Sequence, residues 1–270
     1  MATPPRILSI AGSDSSGGAG IQADIKTITM LGGYAMTAIT TVTAQNSTGV
    51  TAIAPMSGDV VAKQIAACAE DIGVDAIKIG MLHDIEIIGA VAEALRAVNT
   101  NVPLILDPVM IATSGAVLIA DEAIEVMREQ LFPRATLITP NLPELEHLHR
   151  RTLRDTDLVE RAARELVAEY GCAVLAKGGH TAGSKVLDIL VTREEGAQQF
   201  QHSRVDTPHT HGTGCTLSSA IATLMGHGQS MDHAVRLGRQ FVRQAILAAP
   251  GFGAGNGPLG HQAVRKLSAD

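Results

Sequence analysis

The chain has 270 residues, of which 46% are hydrophobic and 18% are charged, so it is long enough and apolar enough to bury a core. Aromatic residues make up 2% and tryptophan is absent, which predicts an aliphatic core and disfavours an aromatic cage for a flat ligand. The net charge of −6, without any run of Lys or Arg, argues against a nucleic-acid partner.

Membrane, secretion and disulfide classes are also disfavoured. No apolar stretch reaches the roughly 18–20 residues that a membrane span needs. The first residues lack the basic and long apolar segments of a signal peptide. The three cysteines, Cys68, Cys172 and Cys215, are odd in number and show no CxxC spacing. A disulfide framework or a zinc site is therefore not expected, and the pattern favours a reducing cytoplasm.

Strand-like and helix-like segments alternate along most of the chain. The first strand is predicted at 6–11, and a helix at 20–33 ends at a glycine pair. Ser57 is a plausible N-cap of a second helix that ends at Gly73. Further predicted segments are a strand at 75–80, a helix at 84–98, and strands at 103–107, 136–139 and 172–177. Short apolar strands separated by helices predict an α/β fold with a mostly parallel central sheet covered on both faces.

Two segments interrupt this alternation. Residues 35–55 are rich in Thr, Val and Ile and contain no helix-like stretch. Residues 186–205 have the pattern of a hairpin that turns near Glu195 and Gly196. Both segments are predicted to be extra strands around the main sheet. Since no repeat, linker or low-complexity tract is visible, residues 1–270 are interpreted as a single domain.

Polar and glycine-rich segments follow five of the predicted strands. They are AGSDSSGGAG (11–20), GM (80–81), DPVM (107–110), TPNLPE (139–144) and KGGH (177–180). In open parallel sheets, ligands bind beyond the carboxyl ends of the strands. Five such segments in register therefore predict one shared site at that edge of the sheet.

The loop from Gly12 to Gly20 has two interpretations. It resembles a phosphate-binding loop, although it matches neither GxGxxG nor GxxxxGK[ST]. Alternatively, it is a strand-to-helix turn whose glycines adopt positive φ. Asp14 and Asp24 could contact a substrate, or they could favour the helix N-terminus or lie in solvent.

The segment HGTGCT carries the strongest chemical signal. Its two glycines allow close approach of the backbone to a ligand, and a helix that begins near Cys215 presents free N–H groups to an anion or to developing negative charge. The helix end is expected to lower the pKa of the thiol from about 8.5, which suits a general base or a nucleophile. The alternative is a small buried residue, which is the interpretation given to Cys68.

Three more side chains suggest nucleotide chemistry. Asn141 and Glu144 stand three residues apart at a predicted helix start, where they could orient the waters of a Mg²⁺ ion or form an N-cap. Lys177 ends a buried strand and could reach a phosphate or lie in solvent. The HxH pairs at 147–149 and 209–211 are not interpreted as metal sites.

These segments together resemble the ribokinase superfamily and, within it, the hydroxymethylpyrimidine/phosphomethylpyrimidine kinases. The matching motifs are IAGSDSSGGAGIQADIKT, TAQNSTGV, IKIGML, LDPVM, LITPNLPE, KGGH, THGTGCTLSSAIA and GPLGH, in order over nearly the whole chain. The resemblance implies a ribokinase-like fold with a small strand flap over the active site. It also implies that Mg-ATP phosphorylates 4-amino-5-hydroxymethyl-2-methylpyrimidine to its monophosphate and then to the diphosphate, in thiamine biosynthesis.

Residue roles follow from the same resemblance. The thiol of Cys215 is the implied base, at a position where most sugar kinases of the superfamily carry Asp. Lys177 is expected to approach the ATP phosphates, while Asn141 and Glu144 match the magnesium-associated motif. The implied anion hole consists of Gly212, Thr213, Gly214 and Cys215.

The resemblance also implies a pyrimidine site formed by Gly12, Asp24, Gln45, Met81 and Val109. The choice of Gln45 has a chemical reason of its own, because a side-chain amide presents a donor and an acceptor that complement an aminopyrimidine edge. Its alternative is a polar turn residue before Asn46. Met81 could pack against the ring, since the chain has few aromatic residues to stack on it.

Three other functions are in competition. A pyridoxal kinase of the same subfamily shares the glycine loop and the GTGC turn, although the AQN segment favours the pyrimidine. A thiol acyl transferase would use Cys215 as its nucleophile and would need a paired His. A non-catalytic nucleotide-binding regulator would bind ATP without releasing ADP. The last two do not explain the number of matching motifs, and the resemblance further suggests a homodimer.

Overall fold

The computed structural model describes residues 3–98, 102–111, 118–179 and 183–264, in which nine strands form one sheet. The strands are β1 (Arg6–Asp14), β2 (Tyr34–Asn46), β3 (Gly49–Pro55), β4 (Ala76–Ile79), β5 (Leu104–Leu106), β6 (Leu137–Ile138), β7 (Ala173–Ala176), β8 (Lys185–Thr192) and β9 (Gly196–Ser203). The helices are α1 (Gly20–Met30), α2 (Gly58–Ala67), α3 (Ile85–Ala97), α4 (Asp121–Gln130), α5 (Leu142–His149), α6 (Thr156–Tyr170), α7 (Thr213–Gly226) and α8 (Met231–Leu247).

The sheet order is β3-β2-β1-β4-β5-β6-β7-β8-β9. Neighbouring strands from β2 to β7 pair in parallel, whereas β3, β8 and β9 pair antiparallel at the two edges. The predicted α/β fold with a mostly parallel centre is therefore confirmed. The first segment that interrupts the alternation forms β2 and the edge strand β3, and the second forms the hairpin β8–β9 at the opposite edge, which turns between Thr192 and Gly196 as predicted.

The β2–β3 ribbon extends past its neighbour β1. Residues of β2 pair with β1 as far as Thr43, and the strand then continues in its pairing with β3. The Ser15 hydroxyl of the glycine-rich loop donates to the carbonyl of Gln45 over 2.8 Å. The end of the ribbon thus lies beside the loop that follows β1, where the strand flap is expected.

Helices cover the two faces of the sheet in unequal numbers. One apolar cluster joins α2, α3, α4, α5 and α6 to the sheet, and a second joins α1, α7 and α8 to the opposite face. Successive side chains of β1 point to opposite faces of the sheet, so Leu8 and Ile10 belong to the first cluster and Ile7 belongs to the second. No helix in the described ranges is long and apolar enough to cross a membrane.

Local signals set several helix ends. The Ser57 hydroxyl accepts from the Val60 N–H and caps α2, as predicted. A single π-helical turn, Cys68–Ile72, continues that helix and ends at Gly73 with φ +83°. Cys68 is half-buried against the first cluster and Cys172 is buried within it, so both are packing residues.

Candidate active site

The carboxyl ends of five neighbouring strands meet at one edge, as the sequence predicts. The N–H groups of the residues that follow β4, β5 and β6 donate across to the adjacent strand: Gly80 to Ile10, Asp107 to Ile79, and Thr139 to Leu106, each over 2.9 Å. The Lys177 N–H likewise donates to the Pro140 carbonyl over 2.9 Å. These bonds bring the five polar segments into one cleft.

The glycine-rich loop is organised by its own aspartate. The Ser16 and Ala19 N–H groups both donate to the Asp14 carboxylate over 2.8 Å. Burial opposes ionisation of Asp14, but hydrogen bonds from His211, Ser16 and Ala19 outweigh it and hold the pKa of this carboxyl below its usual value. Gly17 has φ +77°, in agreement with the turn interpretation of the loop.

The GTGC turn packs against that loop through its backbone. Gly212 is the N-cap of α7 with φ +86°, and a Cβ at this position would lie 1.9 Å from the Gly18 carbonyl oxygen. Any side chain here would therefore push the two loops apart. Gly212 also supplies no side-chain cap. The Thr213 N–H donates to the Thr210 carbonyl over 3.3 Å, which leaves the N–H groups of Gly214 and Cys215 in the first turn of α7 available to an anion.

The pKa of Cys215 differs from the expectation. The thiol is only partly exposed, and its burial raises its pKa to about 11. The positive charge of Lys78 and an N–H bond from Gly20 lower the pKa of Cys215, whereas the carboxylates of Asp24 and Asp107 raise it. The predicted lowering was wrong because it counted the helix end but not the loss of hydration, which is the largest effect.

The Lys177 side chain lies beside the N-terminus of α7 and not in solvent. Its Nζ is 2.7 Å from Asp107 Oδ1, with side chains 12% and 2% exposed. A Cβ on Gly214 would stand 3.3 Å from Lys177 Nζ and 3.1 Å from Asp107 Oδ2, so both charges border the first turn of α7. The solvent-exposed alternative for Lys177 is therefore wrong. His180, in the same motif, lies outside the described residues.

Asn141 and Glu144 form the N-terminal cap of α5. Asn141 Oδ1 accepts from the Glu144 N–H over 2.9 Å, and Glu144 Oε2 accepts from the Asn141 N–H over 2.8 Å. Burial raises the pKa of Glu144 to about 7; the charge of Lys177 opposes this and that of Asp107 adds to it.

The described residues near Asn141 and Glu144 do not by themselves form a complete metal site. The described ranges contain no group of three or more His, Cys, Asp or Glu side chains placed to hold an ion. Asn141 and Glu144 are occupied by the cap, so direct ligation by both is not supported. The negative charge of Asp107 nevertheless raises the pKa of Glu144, so the two carboxylates are near enough to influence each other. Such a pair fits a Mg²⁺ ion that binds together with phosphates and keeps several waters, because such ions use only one or two carboxylates.

Four of the predicted pyrimidine contacts, Gly12, Met81, Gln45 and Val109, lie in three places. A Cβ on Gly12 would lie 2.6 Å from Thr41 Oγ1 and 3.4 Å from Met81 Sδ, so Gly12 and Met81 are neighbours. The Gln45 side chain lies 3.2 Å from Thr43 Oγ1 and 3.3 Å from the ring nitrogen Nε2 of His211. Val109 is half-buried just after β5, where its N–H donates to the Asp107 carbonyl over 2.8 Å.

Asp24 lies beneath the cleft and not in it. Its side chain is 0% exposed and 2.8 Å from Lys78 Nζ. The hydroxyls of Ser9 and Ser219 donate to its two oxygens over 2.6 and 2.7 Å. It is neither a solvated residue nor a cap, since α1 begins at Gly20. Its carboxylate has no free surface for a substrate.

Sequence reasoning missed three residues of the site. Lys78 lies in the apolar strand β4, where a charge needs a buried partner, and this signal could have identified it. Asp107 was noted only as a strand end. The sequence pattern identifies His211 only as a loop residue that is not a metal ligand, yet its Nε2 lies 2.8 Å from Asp14 Oδ2.

Known proteins resemble this chain over most of its length. The sequence profile of the family described as phosphomethylpyrimidine kinase matches residues 14–260. The hydroxymethylpyrimidine/phosphomethylpyrimidine kinase of Bacillus subtilis is 42% identical over 263 residues, which cover 97% of each chain.

Solved structures agree in fold. The phosphomethylpyrimidine kinase of Clostridium difficile superposes with a TM-score of 0.79 at 40% identity, covering 90% of this chain and 99% of that one. The pyridoxal kinase of Bacillus subtilis, solved as an ADP complex, has a TM-score of 0.87 at 34% identity, covering 97% and 99%. The motifs at the strand ends, the cleft that they form and these matches lead to one conclusion: the chain belongs to the phosphomethylpyrimidine kinase family.

Proposed function

We propose that this protein uses ATP to phosphorylate 4-amino-5-hydroxymethyl-2-methylpyrimidine to its monophosphate and then to the diphosphate, in thiamine biosynthesis. The observation that carries the proposal is the first turn of α7. Gly214 borders both Lys177 Nζ and Asp107 Oδ2, and Cys215 follows it directly. A helix N-terminus, an ammonium group and a thiol thus lie together in a protein whose family members are named as kinases, and this supports their use in phosphoryl transfer.

The site supports phosphoryl transfer chiefly by placing charges. In such reactions the protein mainly positions the groups and neutralises charge on the transferred phosphoryl group. The N–H groups of Gly214 and Cys215 and the ammonium of Lys177 would surround that group. Asp107 and Glu144 would face the Mg²⁺ of Mg-ATP, directly or through water, and the ion would neutralise the phosphate oxygens.

Cys215 Sγ is the proposed acceptor of the substrate hydroxyl proton. Because its pKa is raised to about 11, most of the free enzyme carries the neutral thiol at pH 7. The thiolate is then the minor, active form, and turnover should depend on the amount of thiolate present.

Pyrimidine recognition is assigned to Gln45, Gly12, Met81 and Val109. Gln45 would pair with the amino-pyrimidine edge, and its amide is held near the hydroxyl of Thr43 and the imidazole of His211. A Cβ on Gly12 would crowd Thr41 Oγ1 at 2.6 Å, so glycine keeps this loop close to Met81, whose thioether would pack against the ring.

A pyridoxal kinase is the second candidate. The similarity to the Bacillus subtilis pyridoxal kinase favours it, with a TM-score of 0.87 over nearly the whole chain. The main proposal has the stronger support, because the family profile and the 42% identical relative are both named for the pyrimidine reaction.

The test is ADP release with limiting hydroxymethylpyrimidine and excess Mg-ATP, with products identified by mass and Cys215→Ala as the matched control. Sequential appearance of monophosphate and diphosphate is the expected result. Faster turnover of pyridoxal than of the pyrimidine would assign the second candidate. Absence of ADP with either alcohol would overturn the kinase assignment.

Other expectations stay proposals of the same kind. A single kinase domain over residues 1–270 is inferred from the lack of linkers and repeats, a cytoplasmic location from the cysteine pattern, and a homodimeric assembly from the family resemblance. Sedimentation of the purified protein would test the dimer.

A further inference from the structure

Lys78 is a charged residue in a strand whose other members are all apolar. The strand β4 has the sequence Ala-Ile-Lys-Ile, and all four residues are buried. The lysine side chain projects to the face covered by α1 and α7 and is 0% exposed. A lysine in such a place requires an explanation.

Stability does not supply that explanation. Lys78 Nζ and Asp24 Oδ2 form an ion pair of 2.8 Å, both side chains being fully buried. Transfer of two charges out of water is costly, and replacement of a buried ion pair by apolar residues of similar size is often neutral or stabilising. The pair therefore points to a role other than holding the fold together.

A hydrogen bond fixes the position of the pair relative to α7. The hydroxyl of Ser219, four residues after Cys215 in that helix, donates to Asp24 Oδ1 over 2.7 Å. Residues four apart share one face of a helix. Asp24 therefore lies one turn below the thiol.

The Lys78 side chain extends from β4 toward the end of α7 that carries Cys215. A Cβ on Gly80, which lies beyond the carboxyl end of β4, would stand 2.6 Å from Lys78 Nζ. The ammonium thus reaches along the strand toward the cleft, and its positive charge acts on Cys215.

We propose that Lys78 is a positioning residue of the active site, a fixed buried cation that stabilises the negative charge formed on Cys215 Sγ, and that Asp24 holds the cation in place and moderates its effect. The role in turnover rests on the proposed function, in which Cys215 accepts the hydroxyl proton. The charge effect itself exists in the free enzyme.

Other charged groups also face the thiol. Asp107, after β5, opposes the thiolate, and Lys177, after β7, favours it. Lys177 borders the open turn at Gly214 and would be shared with phosphates. Lys78 differs because it is sealed from solvent and from any ligand, so its charge stays the same with or without ATP.

The test measures the alkylation rate of Cys215 by iodoacetamide between pH 7 and 10 in the free enzyme, with the modified peptide quantified by mass spectrometry. Lys78→Met removes the cation and keeps most of the length of the side chain, whereas Asp24→Asn leaves the cation unopposed. The rate at pH 8 is expected to fall about tenfold in K78M and to rise about tenfold in D24N, since a neighbouring charge shifts a pKa by a unit or more.

Opposite signs are the diagnostic result, because general loosening of the structure would accelerate alkylation in both variants. Cys172 is an internal control: it is buried in the apolar cluster on the other face and should stay unreactive in both. K63M, at a solvent-exposed lysine, should leave the Cys215 rate unchanged. Where K78M fails to fold, D24N decides alone, through acceleration at Cys215 without reaction at Cys172.

Equal rates in all variants, or shifts of the same sign, would overturn the proposal. Because this readout needs no substrate, it separates the two proposals. If the Cys215 alkylation rates of K78M and D24N change in opposite directions but no ADP is released, the role of Lys78 stands and the kinase assignment is wrong. If ADP is released but the alkylation rates do not change, the kinase assignment stands and the role of Lys78 is wrong.

Discussion

Helices α2, α3 and α4 on one face of the sheet and helices α1 and α7 on the other bury different kinds of residues. Every buried residue of α2, α3 and α4 is apolar or glycine, whereas α1 and α7 bury Asp24, Thr27, Thr216, Ser218, Ser219 and Thr223. Aliphatic burial supplies the stability of a fold, and polar burial weakens it unless each group has a partner. The difference indicates that the α2–α4 face maintains the fold, while the α1–α7 face sacrifices some packing to hold the charges of the cleft.

The largest expected effect tests the polar face. Cys215→Ala should lower kcat about 10²–10⁴-fold, the usual contribution of a general base, because the hydroxyl proton loses its acceptor. Affinity for ADP, measured by calorimetry, should change little. The matched variant Cys215→Asp carries a carboxylate in place of the thiol and should recover part of the activity. Full activity in the alanine variant would exclude the base assignment.

A substitution in the apolar cluster on the α2–α4 face should change the stability of the protein but not its activity. Phe132 is fully buried and meets Tyr170 edge-on with ring centroids 5.2 Å apart. Phe132→Ala should lower the free energy of unfolding by about 3–5 kcal/mol, through lost burial and the cavity left behind. Denaturant titration measures this loss, while kcat per folded molecule should stay the same. A large fall in kcat would contradict the division between the faces.

A third change acts on the rim of the cleft. Lys177→Met should reduce kcat/KM for ATP about 10²–10³-fold, similar to removal of one preorganised donor, because the phosphoryl charge loses its cation. Initial rates at varied ATP measure the effect. Arg193→Met is a suitable control, since Arg193 is a surface cation near Gly171 and away from the cleft. Equal losses in both variants would exclude a specific role for Lys177.

A fourth prediction concerns acid sensitivity of the polar face. His261 is buried and 2.8 Å from Thr216, and its burial, aided by the charge of Lys26, lowers its pKa to about 4. The unfolded chain binds the proton near pH 6.5, so stability should fall as the pH drops from about 6.5 to 4, by up to about 3 kcal/mol. Urea unfolding at pH 7 and 4.5 should show a smaller loss in His261→Gln. Identical losses would assign the acid sensitivity elsewhere.

The smallest effect is a pH dependence of turnover. With the pKa of Cys215 raised to about 11, the thiolate fraction increases about tenfold per pH unit between 7 and 9. Where proton transfer limits the rate, kcat should rise over this range without a plateau, and the C215D variant should flatten the profile. A plateau in the wild-type enzyme below pH 8 would show that the thiol has a lower pKa in the complex.

The sequence by itself determined the elements and the edge at which the site forms. Apolar strands such as 172–177, helix caps such as Ser57 and the glycines of GTGC are local signals, because backbone sterics and burial periodicity act within a few residues. They sufficed to predict the parallel sheet and the edge at which the polar segments meet, and they single out Cys215 and Lys177 as candidate residues of the site.

Only the tertiary structure decided the electrostatics. The pKa of Cys215 depends on how much water the fold removes from the thiol and on where Lys78 and Asp24 lie, two residues far away in sequence. The same holds for Asp24, which local pattern placed at a helix start or in a substrate site and the fold sealed beneath the cleft. Dehydration and charge pairing are sums over every element packed around a group, so no local pattern contains them.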